Sequence, residues 1–400
     1  MPVDFKSLPS PLPKQKKFSF LLWIGLFFLM ILIGFISTLS YSFFNRVSDF
    51  WFISGSLTIP VLLWIFCLLY CLYLRLDTSI YRDNWNAKIE KERQKLIEFA
   101  KCGLYVIDYS LETHHGKFGN GIGVASHKIL LSSKQVGDQK EFYAYSALPI
   151  PDRLSSNDAY KRIHLIFVGW LSTYQLLLKQ LSPNLNIHVR LFIDTESKVD
   201  ELEEIWAQTL GTVIKPTSFE IEDPKHSTTF IESWLDQSQY DTDLLLVISA
   251  HLFHTPDKNE GEFASLLLLA GEKAIADSSL SDFRKLSAKI YRSEQTQHLN
   301  ETLDKALLWG GNDDKDYDGI WISAVTEKQQ KAVLNYFNEI KFQPNNFFNV
   351  DDSIGIAGDC AYWLSLTLAV EKTLDSKNKQ FVLIGKPKIT ASVVACPQLS

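Results

Sequence analysis

Residues 231–276, IESWLDQSQYDTDLLLVISAHLFHTPDKNEGEFASLLLLAGEKAIA, decide the fold class. At the centre, DLLLVISA at 243–250 is an apolar run of strand length, the pattern of a strand covered on both faces. Amphipathic spacing predicts a helix at 227–239 leading into it. The run EFASLLLLAGEKAIA at 262–276 is short, so period alone leaves strand and helix both open. A helix feeding a doubly covered strand implies helices laid on a sheet, a layered α/β fold.

The same alternation extends in both directions. Upstream, the spacing predicts a helix at 157–181, a strand around 187–194 and a helix at 197–210. Downstream come a helical-looking stretch at 280–309, a strand at 319–325, and helices at 327–340 and 359–375. The chain closes with QFVLIGKPKITASVVAC, read as two strands joined at Gly385–Pro387, where proline fixes a turn. Nearer the N-terminus, GLYVIDYS at 103–110 and EFYAYSAL at 141–148 are β-like runs flanking the glycine-rich HHGKFGNGIG at 114–123. Gly116, Gly119, Gly121 and Gly123 fit neither the dinucleotide nor the Walker spacing, so this segment reads as a plain surface loop.

Two other stretches obey a different rule. No charged residue occurs from Phe18 to Asn45 or from Phe50 to Leu74. Each run is long enough, as a helix, to cross about 30 Å of hydrocarbon. Spans are expected at 18–41 and 51–74; Pro60 is tolerable because neighbouring groups re-satisfy the freed carbonyl. A cleavable signal would have a shorter apolar core followed by a small-residue cleavage site. Lys6, Lys14, Lys16 and Lys17 precede the first run, and Arg75, Arg82, Lys88, Lys91, Arg93 and Lys95 follow the second. The intervening turn has only Arg46, offset by Asp49. Because basic flanks resist translocation, the expectation is a multi-pass membrane protein with both termini in the cytoplasm. Trp23, Tyr41, Trp51, Tyr70 and Tyr73 fall near the interfaces, and Cys67 and Cys71 read as small packing residues of a span. The expected organisation is a tail at 1–17, a hairpin at 18–76, a helical neck at 77–101 able to serve as an oligomer contact, and an α/β domain at 102–400.

Composition narrows the function classes. With 46% apolar and 22% charged residues, the 400-residue chain is globular rather than disordered. Its net charge of −6 is interspersed, leaving no basic face for nucleic acid. Of five cysteines, Cys67 and Cys71 lie inside an apolar run and Cys102, Cys360 and Cys396 are scattered, which is neither a disulfide framework nor a paired metal motif and fits a reducing compartment.

The order of segments over roughly 160–396 resembles the thiolase-like condensing enzymes, the β-ketoacyl synthase group. In that family a helix leads to a strand ending in a small-residue loop, and a Gly-Glu-Gly-Ala-like segment opens the next strand. Gly261, Glu262, Ala264 and the LLLLA run take those places here. SIGIAGDCAYWLSLTLAVEK at 353–372 is similar to the family's late glycine-rich loop and buried helix, and QFVLIGKPKITASVVAC to its closing strands. The resemblance implies a nucleophilic cysteine at a helix N-terminus and two histidines, or a His/Asn pair, polarising a thioester. PTSFEIEDPKHSTTF, before the 227–239 helix, offers Ser218, Ser227 and Thr228 but no cysteine. No histidine precedes the glycines of SIGIAGDCA, and no His-Gly-Thr-Gly-Thr element surrounds GIWISAVTE. The implied product is a non-catalytic derivative of the fold.

Other residues offer ligand or nucleophile chemistry of their own. His251 and His254, with Asp257, Glu260 and Glu262, offer a His-x-x-His set with carboxylates, though not the helical zinc spacing; an ordinary polar loop is expected, without metal or cofactor. Asp359 and Cys360 stand at an expected helix start, where amides favour a thiolate, but no histidine is near in sequence. These residues, His251, His254, Glu262, Asp359 and Cys360, are the candidates for a vestigial cleft. The acidic turn at 312–318 lacks the register of a calcium loop. Three functions follow: a membrane-anchored scaffold or accessory subunit; an acyl-transfer or hydrolytic enzyme using Cys360 or the 251–262 loop; and an immunity or regulatory protein acting through its hairpin. The first is preferred. Its architecture is similar to proteins accompanying bacterial type VI secretion systems, which implies a bacterial inner (cytoplasmic) membrane as its location, with the lipid bilayer, other membrane or secretion-system proteins and further copies of itself as partners; the charge pattern excludes nucleic acid.

Overall fold

The computed structural model describes residues 5–15, 17–46, 48–135, 142–149, 158–181, 185–195, 198–276, 280, 287–311, 317–341, 346–386 and 388–397. They form two compact units, Val3–Leu96 and a larger one from Ile97 to Ser400.

The smaller unit is built on helices α1 (Phe20–Phe44) and α2 (Asp49–Ala100), both long and apolar enough to cross a membrane. Their apolar windows are 0% and 6% buried, unlike the core helix of a soluble domain. The helices run antiparallel. Trp64 donates its indole N–H to the Trp23 carbonyl at 3.1 Å and stacks edge-on against Phe27. Gly34 faces Pro60 so closely that a Cβ there would strike the proline ring. Just before Pro60, residues Ser54–Thr58 widen into a π-turn in which the Ile59 N–H reaches the Ser54 carbonyl. Proline lacks an N–H and crowds the preceding turn, and the wider turn relieves that crowding.

Span and neck, expected as separate segments, are one helix: α2 continues to Ala100 without a break. The N-terminal tail runs back along it. The Leu12 N–H donates to Asn86 Oδ1 at 2.8 Å, Asn86 Nδ2 returns a bond to the Leu12 carbonyl, and Gln15 donates to the Arg75 carbonyl. Phe5 lies under the Arg93 guanidinium.

The larger unit contains β1 (Gly103–Glu112), α3 (Asn120–Ala125), β2 (Ser133–Gln135), β3 (Phe142–Ala144), α4 (Ala159–Gln180), β4 (Ile187–Asp194), α5 (Val199–Gln208), β5 (Ser218–Ile221), α6 (Ser227–Leu235), β6 (Leu244–His251) and β7 (Phe263–Ala270). Then follow β8 (Lys289–Tyr291), α7 (Leu299–Trp309), β9 (Tyr317–Ser323), α8 (Glu327–Glu339), β10 (Asn346–Asn349), α9 (Ala361–Ser376), β11 (Lys379–Ile384) and β12 (Thr390–Ala395). Ten strands pair in the order β10-β9-β11-β12-β8-β1-β7-β6-β4-β5.

That order is a duplication. Strands β1, β4, β5, β6 and β7 make one half and β8 to β12 the other. Counted along its own chain, each half runs third, second, fourth, fifth, first from edge to middle, and in each only the fifth strand is antiparallel to the rest. The halves meet where β1 pairs β8 antiparallel.

Alternate residues of each strand face opposite layers. Tyr105, Leu246 and Leu268 pack with α4 and α5, while Ile320, Leu383 and Val393 pack with α7 and α8. Leu104, Val247 and Leu269 of one half and Trp321 and Val382 of the other pack against the same two helices, α6 and α9. The layered α/β fold therefore has helices outside both half-sheets and a shared helical layer between them.

Several local expectations change. The stretch at 280–309 contains strand β8 before its helix, because three residues are too few to show a period. The ambiguous 262–276 is strand β7 and a short 3-10 turn, since its backbone pairs with β1 and β6 on both sides. The expected strand at 141–148 shrinks to β3, which pairs β2 outside the main sheet. The edge strands β5 and β10, four residues each, had no sequence signal. Most of the acidic turn and Pro387 lie outside the described residues.

Candidate functional site

In a sheet with parallel strands, ligands collect beyond the carboxyl ends. Here the ends of β9 and β11, the start of α6 and the 356–362 segment entering α9 enclose a cavity of about 400 Å³. Its wall includes Thr228, Thr326, Asp351, Asp359 and Tyr362, with Ile356 and Ile384 as apolar surface. Lys225 and Lys386 also line it, and both are exposed. The sequence signal that could have found Thr326 and Lys386 was their position just after two expected strands. Asp351 had none. Its carboxylate accepts from Ser323 Oγ at 2.5 Å and the Ala324 N–H at 2.7 Å, and burial pushes its pKa up.

The candidate residues divide around this cavity. Asp359 lines it. Behind the wall, at the ends of β4 and β6, His251 Nδ1 lies 2.9 Å from Asp194 Oδ2 and Nε2 lies 3.0 Å from Glu260 Oε1. Two carboxylate partners require both ring nitrogens to carry protons. Burial alone would depress the imidazole pKa, but the bonds to Asp194 and Glu260 outweigh it and raise it to about 9. The bond from His251 in turn holds Asp194 below the usual carboxylate range. Neither ring nitrogen retains a lone pair for a metal, and no group of three or more ligand-type side chains is placed to hold one among the described residues.

The relay braces the cavity wall. Asp194 Oδ2 also accepts the Asp359 N–H at 3.3 Å, and Gly358, at φ +52°, lies directly on the pair. A Cβ there would strike both the Asp194 carboxylate and the His251 ring, so glycine is required on steric and conformational grounds.

Cys360 points the other way. Its thiol is fully buried in the central core, with Sγ 3.3 Å from the Phe192 carbonyl, and burial pushes its pKa up to about 12. The expected effect of helix amides on a thiolate is overridden by desolvation. Glu262 is also fully buried, but in another role: it ion-pairs with Arg162 and accepts the Leu148 and Phe253 N–H groups at 2.8 and 3.1 Å. It ties α4 to the loops around β6 and β7. His254 is exposed, with Thr255 Oγ1 at 3.1 Å from its Nδ1, and does not line the cavity.

The glycine-rich segment is more than a surface loop. The Gly119 and Gly121 N–H groups donate to the two carboxylate oxygens of Glu371, at 2.7 and 2.5 Å, and Asn120 and Gly121 are buried. Two amides one residue apart, a ready anion cradle, are thus occupied by a side chain of α9.

No protein-family model matches the chain, and no curated protein does. Solved structures with similar backbones include OleA of Xanthomonas campestris, 9% identical over 73% of this chain and 98% of that one, with a TM-score of 0.41. The ishigamide ketosynthase/chain length factor is 10% identical over 74% of this chain and 99% of its own, with a TM-score of 0.45. AntDE:AntF, a type II PKS acyl-carrier protein in complex with its ketosynthase bound to the hexaketide, is 10% identical over 74% and 99%, with a TM-score of 0.49. Likeness at this level leaves chemistry to be argued from the site itself.

Proposed function

We propose that this chain is a non-catalytic, membrane-anchored accessory or scaffold protein, with a thiolase-like domain held at the cytoplasmic face of a bacterial inner membrane. The placement of Cys360 and His251 carries the non-catalytic reading. The thiol is protonated and turned into the core, and the imidazole is locked as a cation between two carboxylates. Neither lines the cavity where a substrate would lie. At the start of α6, where the resemblance implies a nucleophile, stand Ser227, committed to the Pro224 carbonyl, and Thr228.

The anchor reading is supported by the exposed apolar faces of α1 and α2. The bonds from Leu12 and Gln15 to Asn86 and Arg75 join segments on either side of the hairpin, which supports a reading in which the tail and the neck share one face of a bilayer. Partners are other envelope proteins, with type VI secretion components the first to be sought.

The test combines alkaline carbonate extraction with a reporter fused after Ser400 that is active only in the cytoplasm. The expected result is a protein that stays in the membrane pellet with an active reporter. Release by carbonate overturns the anchor, and an inactive reporter on a full-length, membrane-bound chain overturns the cytoplasmic placement. Release of free thiol from acyl thioesters by the pure protein overturns the non-catalytic reading.

A further inference from the structure

The cavity beyond β9 and β11 carries features that folding alone does not account for. Thr228 is 4% exposed, yet its hydroxyl has no hydrogen-bond partner. A buried hydroxyl left without a partner works against folding. Lys225 and Lys386, on different segments, line the same cavity; Lys386 acts on Asp351 and Lys225 on Asp194 at longer range, but neither makes a direct ion pair among the described residues. Of the two acids in the wall, Asp351 is occupied by Ser323 and the Ala324 N–H, and Asp359 is exposed. At about 400 Å³ the space is that of a small-molecule pocket.

We propose that this cavity is a reversible binding site for a small oxyanion, a carboxylate- or phosphate-bearing molecule. Its charged group lies between Lys225 and Lys386, a polar atom of its body accepts from Thr228, and its apolar surface rests on Ile356 and Ile384. The site rests on the non-catalytic reading above: the ligand is held, not turned over, against the Gly358 segment that the His251 relay braces. An anchored scaffold could in this way report the level of a cytoplasmic anion to its partners.

The test uses the full chain in mild detergent, titrated with sodium phosphate, sodium malonate or a short-chain phosphatidate at constant ionic strength, by calorimetry and by thermal midpoint. Saturable one-site binding of at least one probe is expected, weakened tenfold or more by Lys225→Gln with Lys386→Gln. Both lysines are exposed, so the double variant should melt like the parent without probe. Thr228→Val should also weaken binding while melting no lower than the parent in the absence of probe, because it removes an unpartnered hydroxyl. If that variant does not fold, the lysine pair alone decides. Binding of phosphatidate alone would assign the site to a lipid headgroup; phosphate or malonate binding assigns it to a soluble anion. No saturable binding of any probe, or unchanged affinity in the double lysine variant, overturns the proposal. Thiol release from thioesters would instead overturn the non-catalytic reading, so the two failures are distinguishable.

Discussion

His251 shows most directly how position changes a residue's chemistry. In sequence it is half of a His-x-x-His pair with His254; in the fold it bonds Asp194, 57 positions away, and Glu260, while His254 lies outside. Its pKa rises from 6.5 to about 9, so its contribution to stability is complete below about pH 6.5 and is lost as pH rises through 9. The size at stake is on the order of 3 kcal/mol. Thermal midpoints measured from pH 6 to 10 should fall across that window, and His251→Gln should flatten the fall; an equally steep curve in the variant would show the relay contributes nothing. Cys360 and Glu262 teach the same lesson. A motif places a residue along the chain, but burial and partners decide whether it is reactive, inert or structural.

Among elements, the apolar hairpin and the long helices were the most legible, since length and periodicity are local properties. Less legible was how α1 meets α2. The contact depends on Gly34 against Pro60 and on Thr38 against Gly55, where a missing side chain allows close approach. Gly34→Leu should splay the helices. Disulfide trapping between cysteines introduced at Thr38 and Gly55 should then fall severalfold relative to the same pair with Gly34 retained; an unchanged yield would place the helix contact elsewhere. The glycine-rich segment was misjudged at this scale, because its partner Glu371 is 252 positions away on α9. The strands β5, β8 and β10 escaped notice because three or four residues carry no measurable alternation.

At the scale of the molecule, the duplicated halves do not amount to two independent domains. Trp363 of α9 is fully buried against Phe192 and Phe230 of the first half, at ring separations of 5.1 and 6.2 Å. The inner face of β1, β6 and β7 is thus covered by a helix from the second half. A fragment ending at residue 287 would expose that apolar face to water and should fail to fold. Limited proteolysis and circular dichroism check this: a protease-resistant fragment with native-like helix content would show that the first half is self-sufficient.

The sequence by itself determined that the chain has two bilayer-length apolar helices and a layered α/β region, because hydrophobic length and period are set by neighbours along the chain. It also located the loops after the central strands. Only the tertiary structure decided the pseudo-symmetric strand order, the shared helical layer, the burial of Cys360 and the bracing of Gly358 by His251. Each of these joins segments far apart in sequence, and desolvation and pairing, which set the chemistry of a site, exist only once those segments have met.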